Sequence, residues 1–155
     1  MNRITGVVIG LVIDTNDPVG EGRVLLEFPW MPGSVQSGWA PMASPMAGAS
    51  RGVFFSPEVG DEALVAFEHG DFAHPFVIGF LWNGSDLPPE SDRKKRVIVT
   101  VSGHRMTFDD SPGGEKIEIK SSTGQTITID DTQQSIELHG GGRVLALKAG
   151  QVQIS

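Results

Sequence analysis

Two short segments carry the residue types of hydrolytic or metal-dependent chemistry. Gly48-Ala49-Ser50-Arg51-Gly52 has the Gly-x-Ser-x-Gly spacing of serine hydrolases, whose serine needs a strand-to-helix elbow in a large α/β sheet. Neither the elbow nor such a sheet is predicted here, so a tight turn is favoured. Glu68-His69-Gly70-Asp71 with His74 offers two imidazoles and two carboxylates that could hold zinc. Its spacing is that of no common zinc motif, which favours a charged hairpin turn.

Two pairs of adjacent aspartates raise the possibility of paired catalytic carboxylates or a calcium site. They are Asp109-Asp110 and Asp130-Asp131, and each pair closes a short predicted strand. Neighbouring strand residues point to opposite faces, so the carboxylates of a pair diverge, and Asx turns are the favoured interpretation. We therefore predict no catalytic residue, no metal ligand and no cofactor, and we expect the protein not to be an enzyme.

Nucleic-acid binding is a further chemistry to weigh. The run from Asp92 to Arg96 is densely basic, and Trp30, Trp39 and Trp82 could stack on bases or sugars. The formal net charge of −7 opposes contact with a phosphate backbone. We favour a solvated joint for the basic run, and barrel packing or a subunit contact for the tryptophans, and predict no nucleic-acid partner.

The elements that position these residues are predicted to be short strands. The 155 residues include 20 glycines and 10 prolines, and the apolar residues alternate in short runs, which is typical of strands joined by tight turns. No cysteine is present, so disulfides and thiolate metal sites are excluded. The stretch from Ile4 to Leu11 is too short to span a bilayer, and we predict a first strand there and not a signal peptide. The predicted fold class is all-β.

The first half has the strand count of an OB-type barrel. In residues 6–14 the odd positions Val7, Ile9, Leu11 and Ile13 are large and apolar, which predicts a half-buried strand. Further strands are predicted at 23–28, 53–56, 63–68 and 75–82. A loop at 29–52 is predicted to wrap the barrel, with at most a short strand near Trp39. The predicted domains are a barrel at 1–84, a linker rich in Gly, Ser, Pro and charge at 85–96, and a second domain at 97–155.

The second domain repeats short apolar-x-apolar units, which predicts an array of very short strands. The apolar side chains of this repeat are Met106, Phe108, Ile117, Ile119, Ile127, Ile129, Ile136, Leu138, Leu145, Leu147, Val152 and Ile154. Ordering about eight residues costs about 8 to 16 kcal/mol, whereas burying two Ile or Leu side chains returns only about 3 to 6 kcal/mol. No second layer is predicted in the chain to cover this stripe.

Other copies of the same chain are therefore the simplest way to cover the apolar stripe. We predict a homotrimer in which three stripes pack together as a triangular prism, and the twelve apolar side chains are its predicted core. The predicted outer surface carries Glu118, Lys120, Thr128, Glu137 and Lys148. Pairing with neighbours would also hide the edges of an Ile-rich ladder, which are an aggregation hazard.

Two consecutive stretches resemble a known family. Residues 23–30, Trp39, 52–71 and 75–84, including Phe55-Ser56-Pro57-Glu58-Val59-Gly60-Asp61-Glu62, resemble the OB-fold domain of VgrG and of phage baseplate spike proteins of the baseplate assembly protein V type. Residues 102–110 and 114–119, which begin Ser102-Gly103-His104-Arg105-Met106, look like the start of the trimeric β-helix of the same family. The two matches follow in the family's order.

The resemblance implies an N-terminal OB-fold barrel followed by an intertwined trimeric β-helix. It implies a structural central spike of a contractile injection system or phage tail baseplate, with OB domains forming a collar under a hub and a rod that punctures the target membrane. No hub-like or effector domain is recognised in the sequence, so we expect a separate hub protein. We expect assembly in the cytoplasm, as part of a virion baseplate or of a secretion or extracellular injection particle.

The far end of the rod lacks the His-x-His iron site of some phage spikes, because His139 is followed by glycines. We hypothesise a blunt end on which a PAAR-type tip protein docks. The predicted docking residues are Gln151, Val152, Gln153, Ile154 and Ser155. The alternative function is an OB module that binds single-stranded nucleic acid or oligosaccharide and carries an oligomerisation tail.

Overall fold

The chain is built from β-strands in two compact units. The structure, a computed structural model, describes residues 3–154, and the first unit ends at Leu87 while the second begins at Pro88. Among the described residues, the one regular element that is not a strand is a 3-10 turn at Glu68–Gly70. In that same range, no helix is long and apolar enough to cross a membrane. The all-β class is confirmed.

The first unit is a small barrel. Its strands are β1 (Val7–Asp14), β2 (Leu25–Phe28), β3 (Val35–Gln36), β4 (Ala47–Gly48), β5 (Arg51–Gly52), β6 (Glu62–Phe67) and β7 (Pro75–Phe80). Five of them form an antiparallel sheet in the order β3-β2-β1-β6-β7, and β4 and β5 form a hairpin. Residues 40–43 close the sheet, because Ala40 bridges to Val24 beside β2 and Met42 bridges to Val77 on β7.

One hydrophobic cluster fills this barrel. Its buried members are Val12, Val24, Leu26, Phe28, Ala40, Ala63, Val65, Phe67 and Val77. Phe28 lies at its centre, with ring centroids 5.7 Å from Phe67 and 5.4 Å from Phe72. Full burial of such a side chain is worth about 1.5 to 3 kcal/mol, so the first unit has a core of its own.

The face of β1 that enters this core is the opposite of the one the alternation suggests. Gly10 and Val12 are buried, whereas Val7 and Ile9 are 53% and 44% exposed. A Cβ at Gly10 would lie 3.3 Å from the ring of Phe28, so the glycine makes room for that ring. The large odd-numbered side chains consequently face outward in a single chain.

The predicted strand at 53–56 is wrong, and a hairpin lies just before it. Strand pairing in this region ends where Ala47 pairs with Gly52, and one further hydrogen bond runs from the Val53 amide to the Met46 carbonyl. Phe54 and Phe55 follow as consecutive exposed apolar residues. Such a run lacks the alternation that lets a strand bury one face.

The second unit is a meander of seven antiparallel strands in chain order. They are β8 (Lys95–Val99), β9 (Arg105–Asp109), β10 (Lys116–Lys120), β11 (Thr126–Asp130), β12 (Ser135–Gly140), β13 (Arg143–Lys148) and β14 (Gln151–Ile154). The six repeat units correspond to β9 through β14. β8 is an additional strand, and its first two residues, Lys95 and Arg96, lie in the segment assigned to the linker.

Candidate assembly surface

Strand register gathers the apolar repeat of the second unit into two straight columns. Ile117 is paired with Phe108 on one side and Ile129 on the other, and the same column continues through Ile136, Leu147 and Val152. The second column contains Met106, Ile119, Ile127, Leu138, Leu145 and Ile154. All twelve residues of the predicted trimer core therefore share one face of the sheet.

This apolar face is open in a single chain. The four isoleucines of β10 and β11 are between 37% and 42% exposed, and exposure rises to 67% at Val152 and 79% at Ile154. Apolar surface that is contiguous over six strands marks an association site. Among the described residues of the second unit there is no further layer that could cover it.

The opposite face of the same sheet is polar. The five residues predicted for the outer surface all lie there: Glu118, Lys120, Thr128, Glu137 and Lys148. Lys148 Nζ lies 2.9 Å from Glu137 Oε1, and His139 Nε2 lies 3.1 Å from Glu137 Oε2. The Lys148 ammonium first, and then the His139 ring, hold the pKa of Glu137 below its ordinary value. Water can therefore cover this face while the apolar face packs.

Ion pairs surround the start of the meander. Arg105 Nη2 lies 2.7 Å from Glu90 Oε2, Lys95 Nζ lies 3.9 Å from Asp92 and 4.0 Å from Asp109, and Arg96 is paired with Asp110. The second half of the basic run is therefore neutralised by carboxylates of the same unit. Such a surface is a poor phosphate clamp.

The two aspartate pairs do not converge on a common point. Asp109 accepts a hydrogen bond from the Ser111 amide at 3.0 Å, whereas Asp110 is paired with Arg96. The Ser111 hydroxyl and amide hold the pKa of Asp109 below its ordinary value. In the second pair, Asp130 accepts from the Gln133 amide at 2.7 Å, which closes the turn after β11.

The hydrolase-like and metal-like patterns lie in turns. Ser50 occupies the turn between β4 and β5 with a positive φ of 56°. His74 Nδ1 lies 3.2 Å from Asp71 Oδ2 beside the 3-10 turn. Amide hydrogen bonding from Ala73 and the contact with His74 hold the pKa of Asp71 below its ordinary value. Within residues 3–154, no three side chains of His, Asp or Glu gather as metal ligands do.

The tryptophans have different surroundings. Trp30 donates from Nε1 to the carbonyl of Ile9 at 3.0 Å, and its ring lies 5.8 Å from that of Phe28. Trp39 is half-buried. Trp82 is 66% exposed. Trp30 is thus part of the barrel wall.

Comparison of the sequence with models of protein families gives one match in each of the two units. One family model, described as the type VI secretion system/phage-baseplate injector OB domain, matches residues 8–82. A second, the phage baseplate V C-terminal trimerisation domain, matches residues 95–155. The chain belongs to the phage baseplate V and VgrG family. The apolar face of β8 through β14 lies entirely in the segment that the trimerisation domain matches.

Curated relatives in this family are spike proteins of Pseudomonas aeruginosa. The type VI secretion system spike protein VgrG2a is 28% identical over 145 residues, which cover 86% of this chain and 15% of the relative. The type VI secretion system spike protein VgrG1c is 24% identical over 151 residues, which cover 83% of this chain and 20% of the relative. The chain spans a fifth or less of the length of these relatives.

The last strand forms one edge of the meander of this baseplate-family protein. β14 pairs with β13 on one side, and Gln151 through Ile154 are all exposed. Ser155, the last predicted docking residue, lies outside the described residues. An edge strand has unpaired backbone N–H and C=O groups, with which a strand of another chain can pair.

Sequence reasoning missed the first strand of the assembly surface. β8 places Ile98 beside Met106 and so extends the second column, whereas the charged Arg96 lies beside Phe108 at the end of the first column. The signal was weak because Val97 and Val99 interrupt the alternation and a dense basic run precedes them. The apolar outer face of the barrel was also missed, since the odd positions of β1 were expected to point inward.

Proposed function

We propose that the protein is the structural central spike of a contractile injection system or phage tail baseplate. In this proposal three chains pack their two-column apolar faces together, and the second units form an intertwined trimeric β-helix. The observation that carries the proposal is the open apolar face, which lies in the segment matched by the trimerisation domain. The spike names of the relatives support the same role.

The proposed work is mechanical. A trimer that shares one apolar interior along the meander resists bending, because every strand is paired in its sheet and packed against two other chains. A rod of this kind can transmit force to a target membrane without turnover or a cofactor. We therefore propose that the protein is not an enzyme.

A hub and a tip protein are the proposed neighbours in the particle. The first units would form a collar beneath a hub protein. A PAAR-type tip protein would dock on the exposed β14 edge. The particle would be assembled in the cytoplasm and would act in a virion baseplate or a secretion or extracellular injection machine.

Light scattering on the purified full chain tests the trimer. We expect a mass three times the 16.6 kDa of one chain at micromolar concentration. A well-folded monomer at that concentration would refute the spike, because the apolar face would then be stable without a partner.

A pull-down experiment tests whether the tip protein docks on β14. Removing 151–155 should abolish capture of a purified PAAR-type protein, because it removes the predicted docking residues. The trimer should persist, because ten of the twelve predicted core residues remain. Thr128→Asn is the matched control, since Thr128 lies on the polar face of β11 and is not one of the predicted docking residues. Undiminished capture by the truncated trimer would show that the tip docks elsewhere.

A further inference from the structure

The turns of the meander lie in two rows, one at each end of its strands. Consecutive strands are antiparallel and paired in chain order, so the turns alternate between the two ends. The first turn row consists of residues 100–104, 121–125 and 141–142, and the second turn row consists of residues 110–115, 131–134 and 149–150. In each row the turns recur at every second strand, and the two rows are offset by one strand.

The two rows differ in charge. The first turn row contains no Asp or Glu, and Arg143 directly follows its last turn. The second turn row contains Asp110, Glu115 and Asp131 but no Lys or Arg. Asp131 and Arg143 are exposed, and within residues 3–154 neither of them forms an ion pair. Opposite charges without a partner therefore lie at opposite ends of the strands.

A groove separates successive turns in each row. The first groove, in the first turn row, has a volume of about 400 Å³ and is lined by residues 123–125 and 139–144. The second groove, in the second turn row, has a volume of about 510 Å³ and is lined by residues 129–131, 134–136 and 147–149. Arg143 is thus in the wall of the first groove and Asp131 in the wall of the second.

Each groove lies at the height of a turn in the opposite row, where height is the position along the apolar columns. The turn 131–134 joins β11 to β12, and the first groove is centred on the same two strands. The turn 141–142 joins β12 to β13, on which the second groove is centred. A threefold rotation about an axis along the columns keeps every height unchanged. It brings the first turn row of one copy against the second turn row of the next, because cyclic contacts are heterologous.

We propose that the turn rows of neighbouring copies interlock at the three corners of the trimer. The inference rests on the proposed trimer. The turn 131–134 of one copy enters the first groove of the next copy, whose turn 141–142 enters the second groove of the first. Asp131 then faces Arg143 of the other copy, and this charge complementarity identifies a second copy as the occupant of both grooves.

The interlocking turns would fix the height at which the copies meet. Isoleucine and leucine recur in the columns at nearly every strand, so apolar packing changes little when one copy slides along another. A slide by one strand would instead place turn against turn and separate Asp131 from Arg143. An exposed ion pair contributes little to affinity, and its role here is to select one alignment.

Disulfide formation in the full chain tests this contact, because the protein has no cysteine of its own. Asp131 and Arg143 flank β12 and lie at its opposite ends, roughly 17 Å apart or more. A disulfide needs Cα atoms within about 7 Å, so this pair can only form between copies. We expect mild oxidation of the double variant Asp131→Cys/Arg143→Cys to give a band of three times 16.6 kDa on a non-reducing denaturing gel. Each single variant should give only single chains.

The matched control is the double variant Asp131→Cys/Ser102→Cys. Ser102 is also exposed and belongs to the first turn row, but its turn is three strands away from the height of 131–134, which is about 14 Å. It should give no linked trimer. Linked chains from this control or from either single variant would show another alignment of the copies and would overturn the proposal.

Light scattering before oxidation separates the interlocking turns from the trimer itself. If the variant Asp131→Cys/Arg143→Cys has the mass of a trimer and forms no disulfide between copies, the interlocking is wrong and the spike still stands. A monomer overturns both.

Discussion

At the scale of single residues, one ion pair organises the connection between β1 and β2. The Asp17 side chain is only 3% exposed. Asp17 accepts hydrogen bonds from Arg23 Nε at 3.0 Å and Nη2 at 2.8 Å, and from the amides of Val19 and Glu21. The Arg23 guanidinium foremost holds the pKa of Asp17 far below its ordinary value. The carboxylate charge is thus part of the folded turn.

Asp17→Asn should lower the melting temperature of the first unit by several degrees at pH 7, because the amide cannot take all these hydrogen bonds or balance the guanidinium. Glu21→Gln is the control, since Glu21 also contacts Arg23, at 3.3 Å, but is 61% exposed. Its melting temperature should stay close to that of the parent. Equal losses for both variants would contradict the assigned role of Asp17.

The pH dependence of the same pair has a definite sign. The folded pKa of Asp17 is below the ordinary 3.8, so its stabilisation is fully present above about pH 4 and is lost as pH falls towards the folded value. The melting temperatures of the parent and Asp17→Asn should therefore approach each other at pH 2.5. A gap that stays constant from pH 7 to pH 2.5 would show that the charge is not responsible.

At the scale of elements, tight turns set the register of the meander. β12 and β13 are joined by Gly141 and Gly142, whose φ values are 59° and 74°, as the two-residue turns of twisted hairpins require. A Cβ at Gly142 would meet nothing within 4 Å, so backbone conformation alone restricts this position. The turn therefore aligns Leu138 with Leu145 and so keeps both columns continuous.

Gly142→Val should destabilise the trimer by about 1 to 2 kcal/mol per chain, because a β-branched residue disfavours positive φ. Gly142→Asn should cost much less, since asparagine tolerates the left-handed region. Urea unfolding followed by circular dichroism measures both. If the two variants unfold alike, the conformation of this turn does not limit stability.

Replacement by asparagine should have different effects on trimerisation on the two faces of β11. Ile127 lies between Ile119 and Leu138 in the apolar column, whereas Thr128 lies between Glu118 and Glu137 on the polar face. Ile127→Asn should weaken trimerisation at least tenfold, since burying an isoleucine is worth about 1.5 to 3 kcal/mol. Thr128→Asn should leave the mass unchanged on dilution, as measured by light scattering. If the Thr128→Asn trimer dissociated on dilution and the Ile127→Asn trimer did not, the trimer contact would lie on the polar face and not on the apolar face.

At the scale of the whole molecule, the two units draw stability from different sources. The first unit has the buried core around Phe28, whereas the second has an apolar face that a partner must cover. Stability that depends on association rises with protein concentration. All three tryptophans, Trp30, Trp39 and Trp82, belong to the first unit, so their fluorescence reports on it separately.

Thermal unfolding of the full chain should therefore show two transitions. The one seen by circular dichroism but not by tryptophan fluorescence should shift to higher temperature over a hundredfold increase in protein concentration. Ile127→Asn should lower that transition and change the other little. A dichroism transition that is independent of concentration would mean that the meander is stable without partners.

The sequence alone determined six of the seven strands of the second unit, β9 through β14, and the twelve apolar side chains that share one face of them. Alternation of period two and the glycines of its turns are local signals, and consecutive strands pair with their neighbours, so nothing distant enters the prediction. Ile117, Ile129 and Ile136 could therefore be assigned to one stripe without coordinates. The family resemblance was likewise readable from residues 23–84 and 102–119.

Tertiary structure alone decided which side of β1 enters the barrel. Both sides of that strand are apolar, so alternation cannot choose between them, and the choice depends on Phe28, which needs the space that Gly10 leaves. Closure of the barrel by residues 40–43 depends in the same way on Val24 and Val77, which are distant from each other in the sequence. Contacts between segments remote along the chain create these preferences, and no local pattern encodes them.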